Sequence, residues 1–321
     1  MTSPVGNLSA RNEFLAAIDG GTLHHGWLIA GPEGVGKAGF ARAMAQEMLA
    51  RAAADTAGRT AALMASGAHP DYREMKRLPK DLDKPDGELA RSIPIAQVRA
   101  LQPLFATKPS LSARRVVVID SIDDLERPGA SNALLKNLEE PPAGTIFLLV
   151  SHAPGRLMPT IRSRCRLLRF DPLSDAEVAG VLRAELPNAS AAEVEALVRA
   201  GAGSPGRALR FAGLDLASIE SELAEIARDG DPANARRVRL SRAFAAKTTQ
   251  PRYEAFLERV PAFIAERARG LAGDRLKAAL DAYAAATELA RVSPALSLDA
   301  GTTAFEMGSL VARLADRPRS A

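Results

Sequence analysis

The stretch Gly31-Pro32-Glu33-Gly34-Val35-Gly36-Lys37-Ala38 sets glycines and a lysine at the spacing G-x-x-x-x-G-K. Backbone amides of such a loop can close around a phosphate, and the lysine can reach the terminal phosphates of a nucleotide. The next residue should carry a hydroxyl that ligates Mg²⁺, and Ala38 offers only a methyl group. The other half of a phosphate-handling site is an apolar strand ending in an acid, supplied here by Val116-Val117-Val118-Ile119-Asp120. A second acid would normally follow and polarise the attacking water, but residue 121 is serine, which has no useful basicity at neutral pH. Asp123 and Asp124 lie about one helical turn on, where they read as substitutes for that acid or, more simply, as acids at a helix start. Both departures fall on hydrolysis and spare the phosphate cradle. Two arginines, Arg164 in Ser163-Arg164-Cys165 and Arg207 in Gly203-Ser204-Pro205-Gly206-Arg207, are candidates to neutralise a γ-phosphate. Taken singly, each is by default a surface ion-pair partner.

The elements that must position these residues follow from hydropathy. Through about residue 170, short aliphatic or β-branched runs alternate with helical segments: Trp27 to Ala30, Asp71 to Met75, Arg115 to Ile119, Thr145 to Val150 and Leu167 to Phe170. Runs apolar at every position suit strands buried on both faces, so the first domain, 1–170, reads as α/β with a parallel five-stranded sheet. An Ala-rich helix is expected from Gly39 to about Ala54, and the Pro-, Gly- and Asp-dense stretch 78–91 reads as an exposed loop. After Asp171-Pro172 the strand signals stop. Ser174 with Glu177, and Ser190 with Glu193, form helix-start capping pairs, and Ser204-Pro205 opens a third short helix. These make a small helical domain, 171–213. Longer amphipathic segments, including Tyr253 to Arg269 and Asp274 to Val292, fill a third, all-helical domain, 214–321.

Composition bounds the function. At 321 residues with 47% hydrophobic and 25% charged residues, the chain is an ordinary globular protein of two or three domains. Aromatic content of 4% argues against base stacking as its main mode of action. The single Cys165 excludes an intramolecular disulfide and suits a reducing, cytoplasmic setting. No run of about 18 apolar residues exists, and the N-terminal segment has neither a basic nor an apolar signal region, so neither membrane spanning nor secretion is expected. The net charge is +4; residues 1–170 hold 22 Lys and Arg against 17 Asp and Glu. That mild basic excess reads first as ordinary solvated surface, and a contact with phosphate is the sharper alternative.

Taken in order, GPEGVGKA, VVVIDSIDDL, NALLKNLEEPP, TIFLLVSHAP, TIRSRC and GSPGRAL resemble the clamp-loader branch of the AAA+ superfamily. The resemblance covers the first two domains almost end to end, and LEEPP and SRC are its more specific elements. Within the branch, HHGWLIAGP, His69-Pro70-Asp71-Tyr72 and IAQVRAL look most like the delta prime subunits of bacterial DNA polymerase III. The resemblance implies an ATPase-like domain, a helical lid and a C-terminal collar that joins motor subunits and a delta subunit in a hetero-pentamer. That assembly would place a sliding clamp on primed DNA. It further implies that Gly31, Gly34, Gly36, Lys37, Ala38 and Asp120 surround a degenerate nucleotide pocket, with Ser151 at a γ-phosphate-sensing position and Arg207 at the lid sensor position. Arg164 would be an arginine finger supplied to ATP on a neighbouring subunit. Weak ATP or ADP binding, poor Mg²⁺ binding and little hydrolysis are expected. Many relatives carry a four-cysteine zinc module before the HPDY stretch; residues 51–68 contain no cysteine, so no zinc is expected there, and His24, His25, His69 and His152 are too scattered to replace it. The alternatives are a hydrolysing motor subunit of the same loader, which calls for Ser or Thr at 38 and an acid at 121, and a small-molecule phosphotransferase, which leaves the SRC loop unexplained.

Overall fold

A computed structural model describes residues 5–55, 58–81, 83–84, 87–245 and 250–315. The chain forms two compact units, residues 1–177 and 178–321.

The first unit is a five-stranded parallel sheet in the order β2-β3-β4-β1-β5. Its strands are β1 (Gly26–Ala30), β2 (Tyr72–Lys76), β3 (Arg115–Asp120), β4 (Thr145–Ser151) and β5 (Arg166–Arg169), each within a residue or two of the expected runs. The three inner strands are buried nearly throughout, as their unbroken apolar sequence requires. Outer strands β2 and β5 mix buried with exposed positions.

Because side chains alternate across a strand, the inner strands feed two separate cores. On one face Trp27, Ile29, Val116, Val118, Leu148 and Val150 pack against α1 (Leu8–Asp19) and α2 (Lys37–Ala52) through Phe14, Phe40, Met44 and Met48. The opposite face places Leu28, Val117, Ile119, Phe147 and Leu149 beneath Leu134 and Leu138 of α6 (Gly129–Glu139) and Ile161 of α7 (Pro159–Arg162). Short helices α3 (Arg59–Ala65), α4 (Ile95–Arg99) and α5 (Gln102–Phe105) complete the unit. The expected loop 78–91 folds back on itself, with Pro79 bridged to Leu89; positions 82, 85 and 86 lie outside the described residues.

Helices α8 (Asp175–Glu185), α9 (Ala191–Gly201) and α10 (Pro205–Arg210) match the three expected after residue 171. Ser174 Oγ and its backbone N–H both meet the Glu177 carboxylate, Ser190 Oγ accepts from the Glu193 N–H, and Ser204 Oγ accepts from the Arg207 N–H. These contacts satisfy helix-start amides that have no partner within the helix. Then follow α11 (Leu216–Asp229), α12 (Ala235–Phe244), α13 (Gln250–Ala268), α14 (Gly273–Ala295) and α15 (Ala300–Ala312). Helix α15 packs on α11, α12, α13 and α14, so it sits at the centre of this bundle. Helix α9 packs on α11, joining the short-helix segment to the longer helices within one unit.

Candidate nucleotide site and arginine

The loop 31–36 leaves the end of β1 and enters α2 directly. Gly31 is set by close approach: a Cβ there would lie 2.1 Å from the Phe170 carbonyl oxygen, which follows the end of the neighbouring strand β5. Gly36, just before the helix, has φ 94°, a conformation that side-chain-bearing residues rarely adopt. The resulting turn aims the first amides of α2 toward the loop, the arrangement that receives a phosphate. Lys37 is 2% exposed, and its ammonium donates to the Gly31 carbonyl at 2.7 Å and to the Pro32 carbonyl. Burial lowers its pKa to about 8, against the favourable charges of Asp120, Asp123 and Glu33.

Asp120 ends β3, and Ser151 ends β4, next to β1 in the sheet. The Gly31 N–H donates to the Ser151 carbonyl at 3.2 Å. The sheet therefore brings Gly31, Gly34, Gly36, Lys37, Ala38, Asp120 and Ser151 together at the carboxyl ends of its strands, where ligands of open parallel sheets bind.

Asp123 and Asp124 lie at the start of a short helical turn, and both also make contacts across the sheet end. Residues 122–124 form a single 3₁₀ turn that holds both acids, and the next α-helix begins at Gly129. Asp123 ties β3 to β4, accepting from Ser151 Oγ at 3.0 Å and from the His152 N–H at 2.6 Å. Asp124 accepts from Ser121 Oγ at 3.1 Å and pairs with Arg77 at 3.2 Å. Burial depresses the pKa of His152, with the nearby Lys37 charge adding to the effect.

Two residues that no motif singles out enter the site. Arg42 of α2 donates from Nε to Glu74 at 2.8 Å and from Nη2 to Asp120 at 3.2 Å, while the Tyr72 hydroxyl donates to the other Glu74 oxygen at 3.2 Å. Burial raises the Asp120 pKa and Arg42 opposes that rise. Mg²⁺ does not fit this arrangement: Ala38 has no ligating oxygen, and one oxygen of Asp120 is held by a guanidinium. Among the described residues no group of histidine, cysteine or carboxylate side chains is arranged to hold a metal ion.

Arg164 stands apart from this cluster. It precedes β5, which runs parallel to β1 with Trp27 opposite Arg166 and Ala30 opposite Arg169. Its carbonyl oxygen lies beside Gly26 at the start of β1, and the extended chain from there to Gly31 rises about 16 Å at about 3.3 Å per residue. Its guanidinium pairs with Glu139 at 2.9 Å and donates to the Thr160 carbonyl at 2.9 Å. The adjacent Cys165 is half-buried, and loss of solvent around its thiol pushes the pKa up to about 12. Arg207 belongs to the second unit, where its Nε lies 2.9 Å from Glu258 but off the hydrogen-bonding direction.

Residues 7–174, which span nearly the whole first unit, match the family model described as DNA polymerase III, delta subunit. The chain belongs to this family, within the AAA+ clamp loaders. Curated relatives of this delta-type protein are named DNA polymerase III subunit delta prime. That of Pseudomonas aeruginosa is 36% identical over 206 residues, covering 63% of this chain and 60% of the relative. The Bacillus subtilis protein is 36% identical over 160 residues, 49% of this chain and 45% of the relative, and the Escherichia coli protein 32% over 201 residues, 61% and 57%. The matches thus span between 45% and 60% of the length of these relatives. No described helix is long and apolar enough to cross a membrane.

Proposed function

We propose that this chain is the delta prime-type subunit of a bacterial clamp loader, joining motor subunits and a delta subunit in a hetero-pentamer that places a sliding clamp on primed DNA. In this reading it turns over little or no ATP itself and supplies Arg164 to ATP held by a neighbour. The observation that carries the reading is the position of Arg164 relative to its own cradle. A side chain at the amino end of β5 cannot reach a phosphate at the carboxyl end of β1, so any phosphate it serves belongs to another subunit. Its present partner is replaceable: the Arg164 and Glu139 side chains are 35% and 43% exposed, and ion pairs of that kind contribute about 0 to 1 kcal/mol.

Low turnover follows from the fixed partners around the cradle. Ser121, which stands where a water-polarising acid is usual, donates to Asp124, and Asp123 already accepts from Ser151 and His152. The helices of the second unit serve as lid and collar in this reading, with Arg207 at the lid position and Leu280 and Tyr283 exposed on α14.

The deciding experiment reconstitutes the loader with Arg164→Ala and Arg164→Lys. DNA-stimulated ATPase should fall by roughly 10³- to 10⁵-fold with Arg164→Ala, the range known for trans-acting arginines, while the complex still assembles. Arg164→Lys should also be impaired, because a lysine lacks the planar fork. Unchanged rates in an intact complex would make Arg164 an ordinary surface residue.

A further inference from the structure

The helical spacing of α2 sets Arg42 one turn beyond Ala38 on the same face of the helix. Long side chains in a helix lean toward its amino end, so the Arg42 guanidinium returns toward the position where a metal-ligating hydroxyl is missing. The sheet meets it there. Glu74 pairs in register with Val118, and Val118 faces α2; Asp120, two residues on, shares that face. Arg42 therefore bridges two carboxylates of neighbouring strands. Glu74 is itself held by the Tyr72 hydroxyl, so the guanidinium is anchored by a fixed acceptor as well as by Asp120.

We propose that Arg42 stands in for the divalent cation of this cradle, which accordingly takes a nucleoside di- or triphosphate without a metal ion. The Nε and Nη2 groups are committed to Glu74 and Asp120, and among the described residues Nη1 makes no hydrogen bond. One third of the side chain is exposed, so Nη1 can donate to a phosphate oxygen. Arg42 with Lys37 then gives the phosphates two fixed positive charges. A guanidinium suits this place because it is always charged, weakly hydrated and able to hold carboxylate and phosphate at once. Mg²⁺ would have to strip its water, displace a hydrogen-bonded arginine from Asp120 and lie beside a like charge.

The inference rests on the reading of residues 31–37 as a phosphate cradle. The test measures ADP and ATP binding to the full chain by calorimetry, in excess Mg²⁺ and in EDTA. Affinities differing by less than about threefold between the two conditions are expected, together with loss of binding in both when Lys37→Ala is made. Arg42→Gln should weaken binding in EDTA by about tenfold or more, and Mg²⁺ should recover part of the loss because Asp120 and Glu74 are released. The wild-type comparison needs no folded variant. Wild-type affinity about tenfold or more higher in Mg²⁺ would overturn the proposal and leave the cradle standing. No binding in either condition would overturn both.

Discussion

Lys37 is an ammonium group buried in a loop, and its charge carries a free-energy cost that pH can remove. The folded-state value is about 8, lowered by burial, whereas an unperturbed lysine titrates near about 10.4. A folded value below the unfolded one means that the unfolded chain binds more protons between those two limits, so stability rises with pH across that window. Below about pH 8 the cost is fully present; integrating the linkage from about pH 7 to about pH 9.5 relieves about 2 kcal/mol of it. At 2% exposure, solvent does little to reduce that figure. Lys37→Met keeps the volume and has nothing to titrate. The stability of wild type relative to Lys37→Met should therefore increase by about 2 kcal/mol over that interval, with other titrating groups cancelling between the two proteins. Urea unfolding followed by the fluorescence of Trp27 is the assay, because Trp27 is the chain's one tryptophan and is fully buried in the first unit, on the strand that leads into the loop. A difference that stays flat within about 0.5 kcal/mol would refute the argument that a charged lysine is held inside the loop.

Gly31→Ala should destabilise the first unit by about 1 to 3 kcal/mol or more, since the new methyl meets backbone at 2.1 Å rather than a side chain that can swing away; the same urea experiment reads it. In the second unit, Arg259 is 1% exposed between Glu220 and Glu266, and Arg259→Met should cost about 3 to 5 kcal/mol by leaving Glu220 buried without its partner. Helical circular dichroism during urea unfolding would register that loss, and a cost under about 1 kcal/mol would show that the network contributes nothing net.

The inner strands were legible because VVVI and IFLLV are apolar at every position, a pattern that only burial on both faces explains. The loop after β1 was legible through Gly36, whose φ of 94° is a local backbone demand, whereas Gly31 answers the approach of Phe170 from the neighbouring strand. Arg42 was not, since its partners Glu74 and Asp120 lie 32 and 78 residues away and meet it only once the sheet order is set. The one sequence signal was its spacing: an arginine four residues after an alanine that replaces a metal-ligating hydroxyl. The contacts of Asp123 were hidden for a related reason. Its partners, Ser151 and His152, are brought close by the pairing of β3 with β4, which local pattern does not reveal.

The outer strands of the sheet give part of the basic excess a task unconnected with phosphate. Strand β2 exposes Arg73 and Lys76, and β5 exposes Arg166 and Arg169. An open sheet edge presents unpaired amides and carbonyls that invite a strand from another molecule, and cations along it discourage that pairing. Arg166 is further fixed by Glu13 of α1 at 3.0 Å and lies over the Trp27 ring. A neighbour approaching this sheet from either side is thus steered away from strand addition and has to engage through side chains, so the sheet does not lengthen from one molecule into the next.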